Sequence, residues 1–248
     1  MQKIGIIGGT GLLHMPGLAI RDTLTVETPY GATSSTLTTG LLNSVELVFL
    51  ARHGNPHRLP PHKINYRANL WALQNVGVDH IIAVNAVGGI HPKMGPGHIN
   101  IPDQIVDYTY GREHTFSDST EVPLHHIDFT FPYNRMLRTH IASAAKKLKL
   151  NFSDTGVYAA TQGPRLESPA EINRLERDGC DIVGMTGMPE AALARELGLF
   201  YASIALVVNM AAGRSETEIT MADIERVLAT GMQDVLKLIE CSLDQLSA

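Results

Sequence analysis

Residues 3–11 read KIGIIGGTG, an apolar run Lys3–Ile7 that stops directly on Gly8-Gly9-Thr10-Gly11. A short apolar run rich in β-branched residues and ended by glycines reads as a buried strand with its loop. The plan repeats along the chain. Strand character recurs at Leu37–Leu42, Val45–Ala51, His80–Val84, Thr155–Ala160, Asp181–Gly184 and Tyr201–Val208. Helical runs fall at Asn65–Val76, Arg135–Leu148, Ser168–Asp178, Pro189–Leu197 and Met221–Leu246. Ser168-Pro169-Ala170-Glu171 opens its helix with a capping serine, proline at the first position and glutamate in the first turn. This order, mostly βα alternation after a β-rich start, predicts an α/β fold: a single three-layer α/β domain over residues 1–248 with a central mixed, twisted sheet. Gly95–Phe116 and Asp118–Tyr133, rich in Gly, Pro and His, are expected to be irregular functional or inter-subunit loops.

Composition narrows the function. A chain of 248 residues, 44% hydrophobic, can bury a full core. A net charge of −5 and a pI near 6.1 provide no attraction to nucleic acid or an anionic membrane. The one dense basic cluster, Lys146, Lys147 and Lys149, reads as a solvated helix face. Cys180 and Cys241 make no disulfide or metal framework, so a reducing cytoplasm is the expected location. The N-terminus reads as a first strand rather than a signal peptide, and no apolar run is long enough to span a membrane.

Four strand ends carry groups suited to an oxyanion. Gly8-Gly9-Thr10-Gly11 offers backbone N–H groups and the Thr10 hydroxyl, although read alone it serves equally as a plain glycine turn. It does not open a dinucleotide-binding helix, because the third glycine of that pattern falls at His14 and Pro16 follows. A dinucleotide-dependent oxidoreductase is therefore the minor reading. Ala51-Arg52-His53-Gly54 ends a strand on a bidentate fork and an imidazole donor, or else forms a surface Arg-His pair. Asn85-Ala86-Val87-Gly88-Gly89 and Gly184-Met185-Thr186-Gly187 each read as a small polar loop after a strand, where open α/β sheets bind ligands. His53, His57 and His62 lack a carboxylate, and Pro56, Pro60 and Pro61 break any helix that would align them, so no metal is expected.

KIGIIGGTGL, FLARHGNPH, INYRANLWAL, TQGPRLES, VGMTGMPEAALARELGLFYASIA and IERVL, in this order from Lys3 to about Leu236, resemble the purine nucleoside and methylthioadenosine phosphorylases. The resemblance implies their fold and a phosphorolytic pentosyl transfer from a purine nucleoside, with inorganic phosphate as cosubstrate and no cofactor. It implies phosphate contacts at Thr10, Arg52, His53, Asn85, Ala86 and Thr186. It places Met185 under the ribose and Leu166 beside the base. Val87, Gly88, Gly184 and Met210 belong to the same strand-end segments. His126 matches a histidine that reaches a neighbouring subunit's site, so a homotrimer is expected. Asn209, Arg52 and His53 are the expected catalytic residues, because the attacking phosphate must be held and the departing purine needs a donor at N7.

The strand end IALVVNMAAGRS (204–215) decides the base. The methylthioadenosine enzymes carry aspartates at the positions of Asn209 and Ala211. An amide at Asn209 donates to N7 or O6 of a 6-oxopurine, where a carboxylate would face lone pairs. Glu167 matches a glutamate of the 6-oxopurine phosphorylases, where a carboxylate accepts from N1–H, a proton adenine lacks; it could also simply serve a helix dipole. The resemblance of the last helix places Ile224 at the 5′ position, where Ile224, Val227 and Leu228 form an apolar wall, a core stripe, or both. The expected reaction is phosphorolysis of S-methyl-5′-thioinosine to hypoxanthine and methylthioribose 1-phosphate. Methylthioadenosine or general 6-oxopurine phosphorolysis is the alternative.

Overall fold

Ile4, Ile6 and Ile7 are all fully buried, and a strand that is apolar on both faces must lie inside a sheet. In the computed structural model, which describes residues 3–216 and 218–246, strand β1 (Lys3–Gly8) pairs in parallel with β4 (Val45–Ala51) and β5 (His80–Gly89). Antiparallel β3 (Leu37–Leu42) and β2 (Ala19–Leu24) extend the sheet beyond β4. Strand β11 (Phe200–Met210) runs parallel along the length of β5. The last two residues of β5 also pair antiparallel with β10 (Ile182–Gly184), which leads through β9 (Val157–Ala160) to β7 (Gln104–Asp107). Short β6 (Ile99–Asn100) and β8 (Phe152–Ser153) continue from β11, giving a mixed sheet of 11 strands.

Alternation along the strands makes the layers. Ile7, Leu50, Ile81 and Tyr201 pack with α1 (Tyr66–Asn75) and α4 (Glu190–Glu196) on one face. Ile4, Ile6, Ile82 and Ile204 pack with α2 (Arg135–Lys147) and α5 (Met221–Leu246) on the other. Helix α3 (Pro169–Arg177) closes a smaller cluster through Ile172 and Leu175, and Ser168 and Glu171 complete a capping box at its start. The expected α/β architecture and mixed sheet are present. Among the described residues no helix is long and apolar enough to cross a membrane.

Two expectations need correction. Asn85–Gly89 is not a loop: β5 continues through it, because β11 supplies a ladder partner as far as Gly89. The supposedly irregular Gly95–Phe116 contains β6 and β7, and β2 and β8 also lie outside the predicted strands. β2 is almost wholly exposed, β6 and β8 have two residues each, and none of these carries a period long enough to read. After Gly8-Gly9 the chain makes one 3₁₀ turn, Thr10–His14, and enters β2 with no α-helix between, so no dinucleotide-binding βαβ unit forms there.

Gly89 is where backbone approach is tightest. A Cβ there would run into the Met94 carbonyl oxygen and come within 3.2 Å of Val207, whereas one at Gly9 meets nothing within 4 Å. Gly89→Ala is therefore expected to lower the unfolding free energy by about 1–3 kcal/mol. Gly9→Ala is expected to stay within about 0.5 kcal/mol of wild type. Urea unfolding of both variants checks the contrast.

Candidate active site

The C-terminal ends of β1, β4, β5, β10 and β11 open on a cavity of about 680 Å³, covered by the first half of α5. At its floor Arg52, the residue after β4, is only 2% exposed. A buried guanidinium needs a counter-charge, and Glu190, the first residue of α4, supplies it. Arg52 donates from Nε to Glu190 Oε2 at 2.7 Å and from Nη2 to Oε1 at 2.8 Å, while Nη1 donates to the Val84 carbonyl at 2.8 Å. Tyr201 Oη, from β11, also donates to Glu190 Oε1 at 2.8 Å. Burial opposes the charge, but the Glu190 carboxylate outweighs it and holds the Arg52 pKa above the ordinary arginine value. The side fork expected to grip an anion is thus committed to Glu190. Of the five guanidinium N–H donors, three are taken and two remain for a ligand.

His53 also differs from its expected role as a donor. Its Nδ1 lies 2.8 Å from the Leu59 carbonyl oxygen, which can only accept, so the proton sits on Nδ1. Burial, with the positive neighbour Arg52 and then His57, pushes its pKa down to about 4. The ring is neutral near pH 7 and presents the Nε2 lone pair, an acceptor. His57 stacks on it at 4.4 Å between centroids, and among the described residues no cluster of His, Cys, Asp or Glu is arranged to hold a metal ion.

Asn85 is buried, and its amide is committed: Nδ2 donates to Thr186 Oγ1 at 2.8 Å and Oδ1 accepts from Ser203 Oγ at 2.8 Å. Thr186, receiving that bond, keeps its own proton for the cavity. Thr10, at the start of the 3₁₀ turn, and Ala86, an exposed position of β5, complete this polar end.

The opposite end is mostly apolar. Between Val207 and Asn209 the β5–β11 register slips, a β-bulge that places Asn209 on the cavity wall. Asn209 Nδ2 donates to the Met210 carbonyl at 2.8 Å, leaving one amide N–H and Oδ1 for a ligand. A Cβ at Gly88 would meet Val183 Cγ1 at 3.2 Å and stand in ordinary contact with Asn209 Nδ2 at 3.4 Å, so Gly88 and Asn209 pack side by side. Facing the same space are Val87, Leu166, Gly184, Met185 and Ala211, together with Glu167, whose Oε1 accepts from Thr161 Oγ1 at 2.6 Å. Met210 is not on the wall, since neighbouring strand residues point to opposite faces and its sulfur lies near Gly95. Along α5, Ile224, Leu228 and Met232 recur every four residues and line the cavity with Ile219 and Ala229. Val227 stands off that stripe and packs into the α2–α5 core instead. His126 lies exposed in its loop and is not part of this chain's own cavity.

Sequence reasoning missed Glu190, Thr161, Ser203 and Met232. Only Met232 had a local signal, the four-residue spacing from Ile224 and Leu228. Glu190 and Ser203 act through partners 138 and 118 residues away, whereas Thr161 lies six residues from Glu167 but with no periodicity that marks the contact.

The arrangement joins a polar end built around Arg52 to a mostly apolar chamber that also holds the Asn209 amide and the Glu167 carboxylate. Residues 3–243 match the family described as the Phosphorylase superfamily. The chain is 60% identical over 235 residues to a Pseudomonas syringae pv. tomato protein named probable S-methyl-5′-thioinosine phosphorylase, covering 95% of this chain and 96% of that one. It is 45% identical over 244 residues to a 6-oxopurine nucleoside phosphorylase of Pyrococcus furiosus, covering 96% and 91%. Among solved structures, Schistosoma mansoni methylthioadenosine phosphorylase in complex with adenine superimposes with a TM-score of 0.94 at 31% identity, over 100% of this chain and 92% of that one. Matched along nearly its whole length, the chain belongs to the phosphorylase superfamily.

Proposed function

We propose that the chain catalyses the phosphorolysis of S-methyl-5′-thioinosine, giving hypoxanthine and S-methyl-5-thio-α-D-ribose 1-phosphate, with phosphate as cosubstrate. The observation that carries this reading is the pairing of the Asn209 amide with the Glu167 carboxylate on one cavity whose next strand-end position is the apolar Ala211. The free Asn209 N–H suits O6 or N7, and the second Glu167 oxygen suits N1–H. Methylthioadenosine has no N1 proton and would set the N1 lone pair against the Glu167 carboxylate.

Phosphate fits the polar end as the monohydrogen dianion. Its single O–H matches the Nε2 lone pair of His53. Its remaining oxygens match two Arg52 N–H groups, the Thr10 and Thr186 hydroxyls and the Ala86 backbone amide. A phosphate oxygen so held attacks C1′ as the C1′–N9 bond breaks, and the electron pair leaves with the purine. Asn209 steadies the charge gathering on the N7 side. Ile219, Ile224, Leu228 and Met232 form an apolar wall suited to a methylthio group. A 5′-hydroxyl against it would go unpaired, at a cost of about 1–3 kcal/mol. The 6-oxopurine nucleoside phosphorylase among the relatives keeps plain inosine as the second reading. His126 and the exposed Tyr110, Leu124 and Phe131 of the surrounding loops support a homotrimer in which this face is covered by another copy.

Initial rates on methylthioinosine, methylthioadenosine, inosine and adenosine, each with and without phosphate, test the proposal. Methylthioinosine is expected to exceed methylthioadenosine in kcat/KM by about four orders of magnitude and inosine by about tenfold or more. Asn209→Asp should erode the first ratio and slow methylthioinosine. Equal wild-type values, or a preference for methylthioadenosine, would overturn the base assignment.

Thr161→Val removes the donor that holds Glu167, so it is expected to raise KM for methylthioinosine about tenfold while leaving KM for phosphate unchanged. Steady-state titration of each substrate reads the split. In sedimentation at assay concentration the active species should be a trimer, and a fully active monomer would refute the shared-site role of His126.

A further inference from the structure

Ser203 lies in the middle of β11, 1% exposed, with no place on the cavity wall, yet its hydroxyl donates to the amide that holds Thr186. Ser203 is the register partner of Ala83, two residues before Asn85 on β5, so it shares a sheet face with Asn85. The three side chains form one line: Ser203 Oγ to Asn85 Oδ1 at 2.8 Å, then Asn85 Nδ2 to Thr186 Oγ1 at 2.8 Å. All three are buried, Asn85 at 3% and Thr186 at 7% exposure, so water does not readily replace either bond.

Direction matters here. An amide has one accepting end and one donating end. With Ser203 donating to its oxygen, Asn85 turns its NH₂ toward Thr186. Thr186 Oγ1 then accepts, and its own proton is left to point at the cavity. The reversed amide would take that proton, and an anion would face only hydroxyl lone pairs.

We infer that Ser203 is a positioning residue for the phosphorolysis: by orienting the Asn85 amide it turns the Thr186 hydroxyl into a donor for the attacking phosphate. The inference rests on the phosphate site proposed above. It assigns Asn85 to this relay rather than to direct contact with the anion. It also explains why a serine and an asparagine occupy buried positions of two central strands that otherwise carry Ile81, Ile82, Ala202 and Ile204.

The test compares Ser203→Ala, Ser203→Cys, Thr186→Val and the double variant Ser203→Ala/Thr186→Val in the full-length enzyme. KM for phosphate, KM for methylthioinosine and kcat at saturating phosphate are measured for each. Ser203→Ala is expected to raise KM for phosphate about tenfold, the value of one hydrogen bond to a charged group. Its nucleoside KM and its kcat should stay within about twofold of wild type. Ser203→Cys, which keeps a weaker donor, should fall between, and it carries the test if the alanine variant does not fold. In the Thr186→Val background Ser203→Ala should add nothing, because the proton it directs is gone. An unchanged phosphate KM in Ser203→Ala, an equal rise in nucleoside KM, or a full additional rise in the double variant would overturn the relay. An unchanged phosphate KM in Thr186→Val itself would overturn the phosphate assignment instead.

Discussion

A guanidinium that is 2% exposed cannot remain without a partner, and the bonds that satisfy Arg52 join the elements around the cavity. Arg52 follows β4, Glu190 opens α4, Val84 is in β5 and Tyr201 is in β11, so one cluster of hydrogen bonds ties three parallel strands to a helix. Removing one partner of such a pair leaves the other buried and uncompensated, a cost of about 3–5 kcal/mol. The same bonds fix the plane of the guanidinium, so its two remaining N–H groups have a set direction before any ligand arrives. The stability of this corner and the proposed grip on phosphate rest on one side chain.

The charge balance around that cation is lean. Glu190 neutralises Arg52, and His53 is held neutral by burial and by Arg52 itself, with a pKa of about 4. The proposed phosphate end therefore carries little net positive charge and would rely on oriented neutral donors and one acceptor. That composition suits a nucleophile that must be gripped and yet keep a reactive oxygen, since hydroxyl and amide donors hold an anion without neutralising it. It also makes the orientation of each hydroxyl consequential, which is why the buried Ser203, Asn85 and Thr186 line has functional weight.

At the other end, a backbone irregularity does what charge does at the first. The bulge between Val207 and Asn209 turns a side chain out of strand alternation and onto the cavity wall, beside Gly88 of the neighbouring strand. Thr161 restrains Glu167 from the adjoining segment at 2.6 Å. Helix α5 closes this chamber with a stripe that also packs against the sheet, so Ile224 and Leu228 belong to core and wall together. The selective chamber is thus assembled from one bulge, one restrained carboxylate and one amphipathic helix.

Some of this was written in the chain itself. Short apolar runs ended by glycine or polar residues determined most of the central strands, and Ser168 with Glu171 determined where α3 begins, because those signals lie within a few residues of each other. Thr10, Arg52, Asn85, Thr186 and Asn209 could be picked out because each sits where an apolar run ends or a small-residue loop begins, and Glu167 because GPRLES resembles the phosphorylases. What each of them does was decided only by folding. Arg52 meets a carboxylate 138 residues away and Ser203 reaches Asn85 across 118, and no local pattern encodes such pairs. The extension of β5 through Gly89 depends on β11 as a ladder partner, and the bulge at Asn209 exists only in the register between those two strands. Hydrogen-bond direction follows from the partner at the far end, so whether His53 donates or accepts, and where the Thr186 proton points, belonged to the tertiary structure alone.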